Sequence, residues 1–338
     1  MPENLRLNKE WTAAAFDREK NEWVTTTLHS YESAPEQQVL QPVDLMEIKP
    51  DKRRPLKRDY KTIFVAGDAQ IGYRNIDGKL VPIHDERAIN AATKLARALR
   101  PDVVVDLGDT TDFAELSRFK PDSNHFVYGT LQPSLQRSHN YFGDLTEATP
   151  GAERHTVDSN HVKRLGDFAL KNAMQLADVK QVGAKYPALS YPGLLRLDDI
   201  GWTYHGGYGA AEYEYDDDLA FTHGTLATSS GSTANKLSKL RHNTDRNIVQ
   251  GHAHRIESQY FTDRRGRQLG AFVVGALCRT DGVVPSFHNG IDANGEPVRY
   301  QEDWQQGVMV IKDYGDGMYQ FDQVPIHNGE IHYNGKTY

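Results

Sequence analysis

Two short runs of β-branched and apolar residues, "TIFVAGD" (Thr62–Asp68) and "DVVVDLGD" (Asp102–Asp109), each finish in Gly-Asp. A continuous apolar run this short, bounded by turn residues, reads as a strand buried on both faces, and such strands belong to sheets covered by helices. Between the two runs Ala88, Ala92, Leu95 and Leu99 recur at helical spacing. Asp85 and Glu86 suit the first turn of that helix, and Pro101 stops it. Strand, helix, strand is the repeating unit of an α/β fold.

The same punctuation continues along the chain. "AERHTVD" reads as a third strand, followed by a helical pattern from Leu165 to Val179. "DLAFTHG" and "RNIVQGHAHR" read as two more strands, with a helical "TANKLSKLRHN" between them. Near the end, "FVVGALC", "GVMVIKDYGDGMYQFDQV" and "GEIHYNGKTY" look like strands joined by Gly-containing turns. The expectation is an α/β layered fold with polar residues at the C-terminal ends of its strands.

The first sixty residues differ. Trp11, Phe16 and Trp23 sit in a polar segment, and Pro42, Pro50 and Pro55 surround a basic run from Lys52 to Arg58. Prolines with clustered like charge read as an extended arm or linker, so residues 1–58 are expected to lie outside a domain spanning 59–338. Net charge is −7, with an isoelectric point near 6.1, which speaks against a protein that coats nucleic acid by charge alone. Cys278 is the single cysteine and forms no internal disulfide. The opening "MPENLRLNKEW" lacks the apolar core of a signal peptide, and no run of about 18 apolar residues occurs. A soluble cytoplasmic protein is the expectation.

Five places share one feature, a short strand that delivers Asp, Asn or His just past its end. They are Asp68 to Gln70, Asp109 to Asp112, Asn160-His161, His223, and His252 with His254. Strand carboxyl ends are where sites assemble in open α/β sheets. Carboxylates, an amide oxygen and imidazoles together suit divalent ions such as Mn²⁺, Zn²⁺ or Fe²⁺. His-x-His on an extended segment would put both imidazoles on one face. Asp-Ser-Asn-His occurs twice, at 122–125 and 158–161. Only the second follows a strand and precedes a helix, so it is taken as the ligand copy, while His125 remains a candidate for lining the cleft.

The constellation "GDAQ", "GDTTD", "SNHV", "THG" and "GHAH" resembles the calcineurin-like metallophosphoesterase family, over about Lys61 to Ile311. "DAQIG" and the later "WQQG" look most like phage-encoded and actinobacterial members. The resemblance implies a layered α-β-β-α sandwich and a dinuclear metal site for residues 59–338. Asp68, Gln70 and His254 would hold the first ion, and Asn160, His223 and His252 the second. Asp109 would bridge the two. A metal-bridging hydroxide would attack phosphorus while His161 protonates the leaving oxygen, with Asp112 orienting an imidazole. The ions implied are two divalent cations, Mn²⁺ first, with Mg²⁺, Fe²⁺ or Zn²⁺ as alternatives. The substrate would be a phosphate ester, a nucleotide or nucleic acid among the options, and Asn160, His161 and Arg255 its contacts.

Two departures from the family pattern stand out. Gln70 occupies a position where His is usual, which favours Mn²⁺ or Mg²⁺ over Zn²⁺. Ser159 and Val162 replace the usual Gly and acidic residue flanking Asn160-His161. Lys163 and Arg164 are read as a solvated helix start in preference to positive charge near the substrate, His205 and the tyrosines of "YGAAEYEYDDD" as strand packing in preference to a substrate wall, Asp216 to Asp218 as a solvated turn, and Cys278 as a small buried hydrophobe. The expected activity is phosphodiester hydrolysis. The alternatives are a DNA-directed nuclease and, from another class, a non-catalytic protein-binding scaffold.

Overall fold

The computed structural model describes residues 5–17, 22–33, 42–52, 56–117, 129–228, 231–240, 245–284 and 303–338, the first two stretches by their backbone. The first "DSNH" copy, His125 included, and Arg53 to Pro55 of the basic run lie outside the described residues.

The chain divides into two units, residues 1–41 and 42–338. In the first, Leu5–Asp17 pairs antiparallel with Glu22–Ser33 as a two-stranded hairpin, where the sequence had suggested an extended arm. The division falls earlier than 58. Val43 is buried in the core of the larger unit, and the backbone N–H of Met46 is 3.0 Å from Nε2 of His139. An apolar anchor ties this stretch down, which composition alone does not reveal.

In the larger unit two sheets pack face to face. Four strands of the first, Lys61–Ala66, Val103–Asp106, Glu153–Val157 and Thr203–His205, run parallel. Gly307–Asp313 pairs antiparallel on the other flank of Lys61–Ala66 and begins the meander to Tyr319–His327, Glu330–Tyr333 and Lys336–Thr337. The second sheet has Leu219–Thr222, Asn247–Gln250 and Gln268–Val273 parallel at its centre, edged by Glu212–Asp216 and Glu257–Thr262.

Side-chain alternation explains the layers. Ile63 and Val65 face the second sheet, in one cluster with Val103, Val105, Leu219, Phe221, Val249 and Phe272. Phe64, Ala66 and Val104 face the other way, against the helices Glu86–Leu99 and Leu131–Ala148. Each fully buried aliphatic or aromatic side chain contributes roughly 1.5–3 kcal/mol, so strands apolar on both faces hold two layers at once. The short helix Thr233–Leu237 covers the far face of the second sheet through Leu237. The result is the expected α/β order of helix, sheet, sheet and helix.

Local differences from the sequence reading have plain causes. The first helix is as expected, with Asp85 as its N-cap accepting from Arg87 N. The helix expected from Leu165 begins instead at Asn160 and ends at Asn172. Ser159 caps it in extended geometry (φ −143°), which explains why Gly is dispensable there. Leu131–Ala148 was missed, because Pro133 and Gly143 interrupt its pattern. Of "TANKLSKLRHN" only Thr233–Leu237 is α-helical among the described residues.

Candidate metal centre

Because the central strands of each sheet are parallel, their C-terminal ends share one rim, and the turns that follow them interlock. Asp68 N donates to Gly108 O at 2.9 Å and Gln70 N to Asp109 O at 2.9 Å. Gly251 N donates to Thr222 O at 3.3 Å, joining the two turns of the second sheet. The approach is close. A Cβ on Gly251 would lie 2.8 Å from Asp68 Oδ2, and one on Gly108, itself at φ +88°, would lie 2.8 Å from Val157 O.

Asp109 lies at the centre of the cluster. Its Oδ2 is 3.4 Å from His223 Nε2, 3.2 Å from Gln70 Nε2 and 3.6 Å from His161 Nε2. Its Oδ1 accepts the N–H of His161 at 3.1 Å, from the first turn of the helix Asn160–Asn172, whose N-terminal end favours anions. On one side Asp68 Oδ1 is 3.1 Å from His254 Nε2, and Gln70 Nε2 is 3.4 Å from the same nitrogen. On the other, Asn160 Oδ1 is 2.7 Å from His223 Nε2, and the His223 and His252 rings are 5.0 Å apart. All seven residues named as ligands therefore meet, in two groups that share Asp109.

The backbone is as informative as the side chains. Asp68, Gln70, Asp109, His252 and His254 all have φ between 47° and 67°, in the left-handed region that non-glycine residues seldom enter. Such strain gathers where the surroundings impose it, typically at functional sites. It also corrects one expectation. His252 and His254 are not presented by strand alternation, because the strand ends at Gln250 and the chain turns tightly, with Ala253 N donating to Gly251 O at 2.7 Å.

The electrostatics follow from burial and crowding. Burial alone would raise the Asp109 carboxyl, but the imidazoles of His161, His223 and His252 hold it well below the usual carboxylate range. Burial opposes protonation of His223, yet Asp109 and Asp68 raise it to about 9. Burial and the neighbouring His223 push His252 down to about 4. Beneath the site the buried Asp106 accepts from Thr156 Oγ1 at 2.7 Å, Thr110 Oγ1 at 2.8 Å and Gly108 N at 3.2 Å. Burial still raises its carboxyl to about 7.

The donor set fits cations. One ligand atom from each of Asp109, His223 and His252 lies within 4.8 Å of the others. Gln70 Oε1 is buried with no hydrogen-bond partner, while its Nε2 is the amide atom turned toward Asp109 and His254. The group of Asp109, His223 and His252 combines a carboxylate with imidazoles, a mixture suited to divalent ions such as Mn²⁺, Fe²⁺ or Zn²⁺.

The remaining candidates separate cleanly. Asp112 Oδ1 lies 3.3 Å from His161 Nδ1, and Val162 is buried in the core. Arg255 is engaged by Glu257 at 3.7 Å and by Asp303 at 3.5 Å. Cys278 is buried, with its sulfur 3.9 Å from His254 Nδ1. His205 sits beside His155 at 3.1 Å, and His155 stacks on Tyr213. Sequence reasoning gave no site role to Trp304, whose ring lies 4.3 Å from that of His254, and it preferred a solvated Arg164, which is half-buried against His161. The i,i+3 spacing from His161 on a helix was the available signal for Arg164.

No protein-family model matches the sequence, and no curated protein does. Among solved structures, Yfce, a phosphoesterase from E. coli, aligns at 12% identity over 79% of this chain and 100% of its own, with a TM-score of 0.32. Wild-type Vps29 from Entamoeba histolytica, complexed with Zn²⁺, aligns at 10% identity over 78% and 98%, with a TM-score of 0.30. A dimetal phosphatase from Danio rerio aligns at 12% identity over 79% and 99%, with a TM-score of 0.32. Among the described residues no helix is long and apolar enough to cross a membrane.

Proposed function

We propose that this chain is a dinuclear metal-dependent phosphoesterase that acts on phosphodiesters. The observation that carries this reading is the meeting around Asp109 of side chains from five strand ends in two sheets. Asp68, Gln70, Asp109 and His254 would hold one ion, and Asp109, Asn160, His223 and His252 the other. When bound, such a pair makes water nucleophilic near neutral pH and neutralises charge on a phosphoryl group.

The chain's own residues do the rest. His161 Nε2 donates a proton to the leaving oxygen, and Asp112, 3.3 Å from Nδ1, holds the ring in place and steadies its charged form. The helix N-terminus that carries His161 orients Asp109 through the backbone bond to Oδ1. Gln70 brings a neutral oxygen donor to the first position, which favours Mn²⁺ or Mg²⁺ there. The preference for diesters rests on the Asn160-His161 pair, present in members of the resembled family that cleave diesters as well as monoesters.

Metal analysis of the purified protein tests the reading, together with hydrolysis of an aryl phosphodiester and an aryl phosphomonoester by wild type and His161→Ala. Two equivalents of a divalent ion, diester hydrolysis, and its loss in the variant are expected. Absence of hydrolysis with every divalent ion would favour the scaffold alternative.

A further inference from the structure

Arg164 stands one helical turn beyond His161, on the same face of the helix Asn160–Asn172. Its Nη2 is 2.9 Å from His161 Nε2, and its Nη1 donates to the backbone oxygen of Asp112 at 2.8 Å. A guanidinium is always charged and only donates. The imidazole therefore accepts at Nε2, while Nδ1 faces the Asp112 carboxylate. The same Nε2 lies 3.6 Å from Asp109 Oδ2, so this cation stands at the edge of the metal cluster.

Its partners are neutral, as are those of Arg154, which donates to the carbonyls of Thr146 and Thr149, whereas other arginines are ion-paired. Arg137 is paired with Glu86, Arg246 with Glu212 and Glu214, Arg255 with Glu257 and Asp303, and Arg279 with Asp281. Arg164 meets a ring nitrogen and a carbonyl oxygen, and among the described residues no carboxylate lies within ion-pairing distance of it. Glu115 acts on it only at longer range, and the guanidinium stands beside the ring nitrogen that faces Asp109, within reach of an anion bound there.

We propose that Arg164 grips the substrate phosphate: its guanidinium moves from His161 Nε2 to a non-reacting phosphoryl oxygen beside the ring. It rests on the phosphoesterase reading of the same site.

The test uses the metal-loaded full chain, with Arg164→Ala, Arg164→Lys and Arg164→Gln beside wild type. Binding of inorganic phosphate is measured by calorimetry, KM and kcat with the aryl diester, and metal content by elemental analysis. Arg164→Ala and Arg164→Gln should weaken phosphate binding and raise KM by about tenfold or more, with metal content unchanged and Arg164→Lys intermediate. Added guanidinium ion should restore part of the Arg164→Ala rate. Phosphate affinity within about twofold of wild type in Arg164→Gln, which keeps a donor for the Asp112 carbonyl, would overturn the proposal. A wild type that hydrolyses neither ester, yet loses phosphate affinity on Arg164→Ala, would overturn the phosphoesterase reading while sustaining the anion grip.

Discussion

The Asp112 carboxylate lies 3.3 Å from Nδ1 of His161, on the side of the ring opposite Arg164. Both Asp112 oxygens and His161 Nδ1 are buried without a hydrogen bond among the described residues, and on the proposed reading the carboxylate steadies the charged imidazole. Asp112→Asn should lower kcat for the aryl diester by roughly tenfold to a hundredfold with KM little changed, and His161→Ala by about 10² to 10⁴. A drop in KM alone in either variant would contradict the assignment.

Asp109 is shared by both groups of donors. Asp109→Asn is expected to lose both equivalents of metal, whereas His254→Ala should lose one. Elemental analysis after gel filtration reads the difference. Equal loss in the two variants would argue against a bridging carboxylate.

Metal loading has a defined pH dependence. His223 must be neutral to ligate, and in the metal-free chain Asp109 and Asp68 raise it to about 9. Affinity should therefore rise with pH across the neutral range, and loading near pH 7 should release protons. Calorimetry in buffers of different ionisation enthalpy counts them. Loading without proton release would contradict this balance.

Gln70→His would exchange a neutral oxygen donor for an imidazole. Zn²⁺ affinity should increase relative to Mn²⁺, measured by competition with a chromogenic chelator. An unchanged ratio would remove Gln70 from the first coordination position.

Asp106 connects pH to stability without touching a cation. Its folded-state pKa is raised to about 7, whereas the unfolded chain ionises near 3.8. A group raised on folding contributes stability that is present below the unfolded pKa and lost as pH climbs to the folded one. The melting temperature of metal-free protein should therefore fall between about pH 4 and 7 by more in wild type than in Asp106→Asn. Parallel curves would refute it.

Much of this site was legible because it is written at strand ends. "TIFVAGD" and "DVVVDLGD" announce both the buried strands and the acids they deliver, and Asn160, His223, His252 and His254 follow their own strands in the same way. Other features depend on long-range packing, which local pattern does not carry. Val43 anchors to the core across the sequence, and Leu131–Ala148 forms a helix despite Pro133 and Gly143. Arg164 looked like any charged residue at a helix start. Its contacts with His161 and with the backbone oxygen of Asp112 depend on how the helix packs.

The left-handed turns at Asp68, Gln70, Asp109, His252 and His254 begin where the aliphatic packing of the two sheets stops. The acids on those turns also brace them, Asp68 accepting from His252 N and Asp109 from His161 N, so the same side chains serve the shape of the rim and the donor cluster it carries.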